Sequence, residues 1–111
     1  MIRQMTELGH VCTFDWTTCP DIKPYENNSK LSALIATKAA LAVQQADVFI
    51  IISHKEGTGM YVEYGIALAE NLRTGVPKLY LLGQDKSCSI FNYHPNIIWK
   101  DTLEEILEEI N

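Results

Sequence analysis

Val48-Phe49-Ile50-Ile51-Ile52 is a run of five apolar residues with no polar interruption. A half-exposed strand would alternate, and a helix this apolar would run much longer. The stretch therefore predicts a strand covered on both faces, as in a parallel sheet, and the most buried strand of the chain. Downstream, Ser53 to Gly59 is a polar loop with two glycines, followed by a helical pattern from about Met60 to Arg73 rich in Gly65, Ala67 and Ala69. Gly75 to Pro77 forms a turn, and Lys78 to Leu82 is a second apolar strand. Gly83 to Asn96 reads as a long loop in which Phe91, Tyr93 and His94 either close over a ligand or, the favoured reading, form a hydrophobic lid, and Ile97 to Trp99 as a short strand. Asp101 with Glu104 resembles a capping box, opening a helix buried through Leu103, Ile106, Leu107 and Ile110.

Upstream, Ser29 is placed to cap a helix reaching Gln45, with Leu31, Leu34, Ile35, Ala39 and Ala42 on one face. Trp16 to Asn28 carries Pro20 and Pro24 and reads as a loop. His10 to Asp15 reads as a short strand. Met1 to Leu8 resembles the last turns of a helix, with Gly9 as its left-handed stop. The resulting order, α-β-α-β-α-β-β-α, predicts one α/β domain over residues 1–111: a three-layer sandwich with a parallel, flavodoxin- or Rossmann-like sheet.

Composition narrows the partners. The formal net charge is −5 and Lys and Arg do not cluster, which disfavours nucleic acid or an acidic membrane surface. The longest strongly apolar run is far too short to span a bilayer. Three cysteines, Cys12, Cys19 and Cys88, lack C-x-x-C spacing, and His10, His54 and His94 lack ligand spacing, so no metal or cofactor is expected. With no signal-peptide pattern at the amino terminus, a cytoplasmic protein is expected. Glu104, Glu105, Glu108 and Glu109 read as the solvated face of the last helix. Alanine-rich helices around a small sheet leave one face of Ser29–Gln45 or Met60–Arg73 apolar, predicting a homodimer.

In open α/β sheets, ligands bind beyond the carboxyl ends of the strands. That edge carries Asp15 and Trp16 after one strand, and Ser53, Gly57, Thr58, Gly59 and Met60 after another. The glycine loop leads into a helix amino terminus suited to an anion, but it matches no dinucleotide or triphosphate pattern. Glu63 follows in the first turn or so. It serves either as a simple complement to the helix dipole or as a carboxylate nucleophile at a pocket mouth. Trp16 could stack on a base or cover the core; Asp15 could hold a sugar hydroxyl or close an Asx turn.

Ala46-Asp47 with the apolar run, then Gly57-Thr58-Gly59-Met60-Tyr61-Val62-Glu63-Tyr64-Gly65-Ile66-Ala67-Leu68-Ala69, resembles the signature of the nucleoside 2-deoxyribosyltransferase-like superfamily. Phe14-Asp15-Trp16-Thr17 is similar to a D-W-T segment of its small bacterial members. The resemblance spans Leu8 to about Leu82. It implies cleavage or transfer at the N-glycosidic bond of a nucleoside or nucleoside 5′-monophosphate, with Glu63 as nucleophile and the residues above binding substrate. The alternative is a non-catalytic nucleotide-binding or sensing domain of the same fold; a phospho-receiver is disfavoured, lacking an acidic cluster after its first strand. Two segments depart from the family pattern. Lys55-Glu56 stand where the transferases carry an Asp, and the family's first strand and its sugar-binding loop have no counterpart. Met1 is accordingly expected to be an internal methionine of a longer protein.

Overall fold

The computed structural model describes residues 2–11, 23–53, 59–83 and 85–110. They fall into two compact units, Met1–Gln45 and Ala46–Asn111. The first holds helix α1 (Ile2–Glu7), a 3-10 turn (Tyr25–Asn27) and helix α2 (Ser29–Gln45). The expected stop after α1 is present: Gly9 takes φ +89, its N–H bonds the Thr6 carbonyl at 3.0 Å, and that of His10 bonds the Met5 carbonyl at 3.0 Å. Those two bonds close a Schellman motif, which requires a residue tolerant of left-handed backbone. At the start of α2 the cap sits one residue earlier than expected. The Asn28 carbonyl accepts the Ser32 N–H at 2.8 Å, and Ser29 is already helical. His10 and Val11 make no strand pairing, and the rest of the expected His10–Asp15 strand lies outside the described residues.

The second unit is a three-layer α/β sandwich. Its strands β1 (Val48–Ile52), β2 (Lys78–Leu82) and β3 (Ile97–Lys100) form a parallel sheet in the order β1-β2-β3. Ile51 pairs with Leu81, and Leu81 with Trp99. Side chains alternate across this sheet, which assigns the two covering layers. Trp99, on one face, donates from its indole to the Asn92 carbonyl at 2.7 Å; on that face lie helix α3 (Gly59–Thr74) and a second 3-10 turn (Ile90–Tyr93). Lys78 and Lys100, on the other face, both reach Glu109 of helix α4 (Leu103–Ile110), at 2.9 and 3.0 Å. The Glu109 carboxylate is therefore held by two cations rather than merely solvated, and they pull its pKa down to about 2.

Two expectations need correcting. β2, not β1, is the most buried strand: Leu79, Tyr80 and Leu81 are sealed, while Ile52 at the end of β1 is 51% exposed. β2 has a strand on either side, whereas the outer edge of β1 is unpaired among the described residues, so its apolar side chains are covered only in part. The cap of α4 lies one residue along, and it is a side-chain N-cap by Thr102. Thr102 Oγ1 accepts the Glu105 N–H at 3.3 Å and donates to the Glu105 carboxylate at 3.2 Å. Among the described residues, no helix is long and apolar enough to cross a membrane.

Candidate carboxylate site and adjoining groove

Glu63 is the fifth residue of α3, which follows the loop that leaves β1. That position is one residue beyond the first turn, so the field of the helix amino terminus has largely decayed there. Dipole complementation is thus a poor account of this glutamate. Glu63 is half-buried, and no hydrogen bond or ion pair to its carboxylate occurs among the described residues. Desolvation by burial raises its pKa above the ordinary carboxylate value.

Helix geometry places Glu63 one turn before the fully buried Ala67 and on the flank of α3 opposite Tyr61, Gly65 and Leu68. Tyr64, between the flanks, stacks on Phe49 of β1 with ring centroids 6.3 Å apart. The Tyr61 flank faces the segment between β2 and β3. The Glu63 flank is the one turned away from that segment.

At the carboxyl edge of the sheet, the Ser53 N–H bonds the Leu82 carbonyl at 2.7 Å, extending the β1–β2 ladder by one step. The buried Ser53 hydroxyl donates to the Asp85 carbonyl and lies 3.3 Å from Cys88 Sγ. Gly83, at φ +113, lets the chain turn there; a Cβ would sit 3.4 Å from the Ser53 backbone. Tyr61 Oη is 2.9 Å from the same sulfur. Contacts with the Ser53 and Tyr61 hydroxyls hold the Cys88 thiol below its ordinary value. The Tyr64 hydroxyl donates to Asn92 Oδ1 at 2.9 Å, and Asn92 Nδ2 donates to the Lys86 carbonyl at 2.8 Å. Burial, with Tyr61 and Cys88 nearby, pushes Tyr64 up to about 12.

Between α3 and this segment runs an apolar groove of about 500 Å³, walled by Tyr61, Leu68, Leu72, Cys88 and Phe91. Phe91 thus lines the groove, while Tyr93 packs edge-on against Trp99 at 5.4 Å.

Of the residues singled out in the sequence, Gly59 and Met60 form the first positions of α3, Glu63 follows them, and Ser53 is committed to Asp85 and Cys88. Asp15, Trp16, Gly57 and Thr58 lie outside the described residues. The Asn92 lock and the Cys88 contacts were missed. Tyr61, Tyr64, Gly65 and Leu68 do fall at helical spacing, which signals a packed stripe, but nothing local pairs that stripe with residues some 27 positions away. No group of three or more metal-ligating side chains assembles among the described residues. Comparison with family models, with curated proteins and with solved structures finds no match to this chain.

Proposed function

We propose that this chain cleaves, or transfers across, the N-glycosidic bond of a nucleoside or nucleoside 5′-monophosphate, with Glu63 as the nucleophile. The observation that carries the proposal is the state of Glu63: a half-buried carboxylate with raised pKa and no partner among the described residues, on the helix that follows β1. A carboxylate placed only for stability is normally paired or fully solvated; this one is half-buried and unpaired among the described residues. Desolvation makes the ionised form more basic, and hence a better nucleophile toward an electron-poor anomeric carbon. The resemblance of the Gly57 to Ala69 segment to the 2-deoxyribosyltransferase signature supplies the substrate class.

In this reaction a Glu63 oxygen bonds to the anomeric carbon as the carbon–nitrogen bond breaks. The base leaves with the electron pair and takes up a proton. Water or a second base then displaces Glu63, as in retaining glycosidases, whose oxocarbenium-like transition states a carboxylate stabilises.

The test is release of free base by the purified protein from a panel of nucleosides and 5′-monophosphates, followed chromatographically. Glu63→Gln keeps the side-chain shape and should lower release by about 10³-fold or more, with an unchanged circular dichroism spectrum. Absence of release by the native chain across the panel would refute the enzymatic reading. Binding without release would leave a nucleotide-binding domain, and unchanged release by Glu63→Gln would assign the chemistry to another group.

A further inference from the structure

Glu63 sits at the margin of the buried face of α3. Tyr64 and Ala67, on that face, are 3% and 0% exposed. Glu63, about 100° round the helix from Tyr64, falls at its border, in keeping with a half-buried side chain. A carboxylate so placed is sensitive to the roll of the helix. A roll of about 15° carries the rim of a helix about 5–6 Å in radius through about 1.5 Å, the radius of a water molecule. Among the described residues, burial raises the pKa of Glu63 and no charged neighbour adds to it, so its protonation reads its exposure to water.

The roll of α3 is set close to Glu63 by its chain neighbour. Ala67 is too short to key the helix into the sheet. Tyr64 is long, and it is held along its length. Its ring stacks on Phe49 of β1 at 6.3 Å, and its hydroxyl donates to Asn92 Oδ1 at 2.9 Å. Asn92 is held in turn: its Nδ2 donates to the Lys86 carbonyl, and its own carbonyl accepts the Trp99 indole of β3. A run of bonds therefore leads from β3 through Asn92 and Tyr64 to the residue beside Glu63. Two turns further on, Asn71 donates to the Pro77 carbonyl at 2.9 Å and accepts from Asn96 at 2.8 Å, which pins the far end of the same line. Phenylalanine at 64 and an apolar residue at 92 would serve packing equally well; a directed bond adds a fixed angle.

We propose that Tyr64 and Asn92 are positioning residues for Glu63: their hydrogen bond fixes the roll of α3 and, through it, how much of the Glu63 carboxylate water reaches. A catalytic consequence rests on the reading of Glu63 as the nucleophile; the setting of its exposure does not.

The test reads the carboxylate itself. The side-chain carboxyl carbons of the full chain are titrated by NMR, with the Glu63 signal identified by its loss in Glu63→Gln. Tyr64→Phe keeps the ring on Phe49 and removes only the hydroxyl. Ile106→Val, a mild loss in the core on the other face of the sheet, is the control for general loosening. In the native chain the Glu63 midpoint should lie above 4.5. In Tyr64→Phe it should fall at least half of the way back, and in Ile106→Val it should stay where it is. A midpoint unmoved or raised in Tyr64→Phe overturns the proposal, as does an equal fall in Ile106→Val. Where the native chain releases base, Tyr64→Phe should also lower kcat with KM unchanged, and the acid limb of its pH profile should move with the NMR midpoint. A native chain that releases no base refutes the nucleophile, while the titration still decides the role of Tyr64.

Discussion

Asn92→Ala should be among the most damaging single substitutions in the second unit. The side chain is 1% exposed, accepts the Tyr64 hydroxyl at 2.9 Å and donates to the Lys86 carbonyl at 2.8 Å. Alanine removes both bonds and strands the hydroxyl of a tyrosine that is itself buried. One buried donor left without an acceptor costs about 1–3 kcal/mol. The void left by the amide adds about 1 kcal/mol. A loss of about 2–4 kcal/mol is a large share of the ~5–15 kcal/mol that typically holds a domain folded. At roughly 4 °C per kcal/mol for a chain of this size, the melting midpoint should fall by about 8–16 °C. Urea denaturation measures the free energy directly. A double-mutant cycle with Tyr64→Phe isolates the pair. In the native background Tyr64→Phe leaves Asn92 Oδ1 unpaired and destabilises; in the Asn92→Ala background it removes an already stranded hydroxyl and should be neutral or favourable. Equal effects in both backgrounds, or an Asn92→Ala cost below about 0.5 kcal/mol, would refute the account of Asn92 as the lock between α3 and the β2–β3 segment.

The remaining predictions concern charge. Glu109 has a pKa depressed to about 2 in the folded chain, through Lys78 and then Lys100, so its contribution is present above the ordinary carboxylate value of 4.5 and is lost as pH falls toward 2. Glu109→Gln should flatten the stability profile in that window, measured by thermal unfolding, and high salt should shrink the difference between the two chains. Glu63 runs with the opposite sign. Its folded pKa is raised by burial, so folding binds a proton and stability declines as pH climbs from the ordinary carboxylate value through the folded one. Glu63→Gln should therefore raise the melting midpoint at neutral pH, and lose that advantage in acid; a destabilised variant at neutral pH would contradict the desolvation argument.

Much of the second unit was legible in the chain itself. Val48–Ile52 and Lys78–Leu82 are strands at the boundaries read from the sequence, because short runs of aliphatic and aromatic residues, β-branched in the first, suit a covered pleated surface. The small residues after Gly59 mark α3, and Gly9 marks the end of α1, since each reflects backbone preference within a few residues. Glu63 could be picked out by its place after the glycine loop, though not its ionisation. That depends on which atoms exclude water from it, and no local spacing records them.

Tertiary structure alone decided the rest. β2 is the buried strand because it has a neighbour on each side, a property of sheet order to which its own five residues are indifferent. Glu109 is ion-paired because α4 lies across Lys78 and Lys100, whereas helical spacing alone makes it one more acid on a solvated face. Asn92 is a lock because folding brings it to Tyr64, 28 positions away, and Cys88 comes to Ser53 from 35. Short-range pattern records what each residue demands of its backbone and of water; only the folded chain determines which distant side chains meet those demands together.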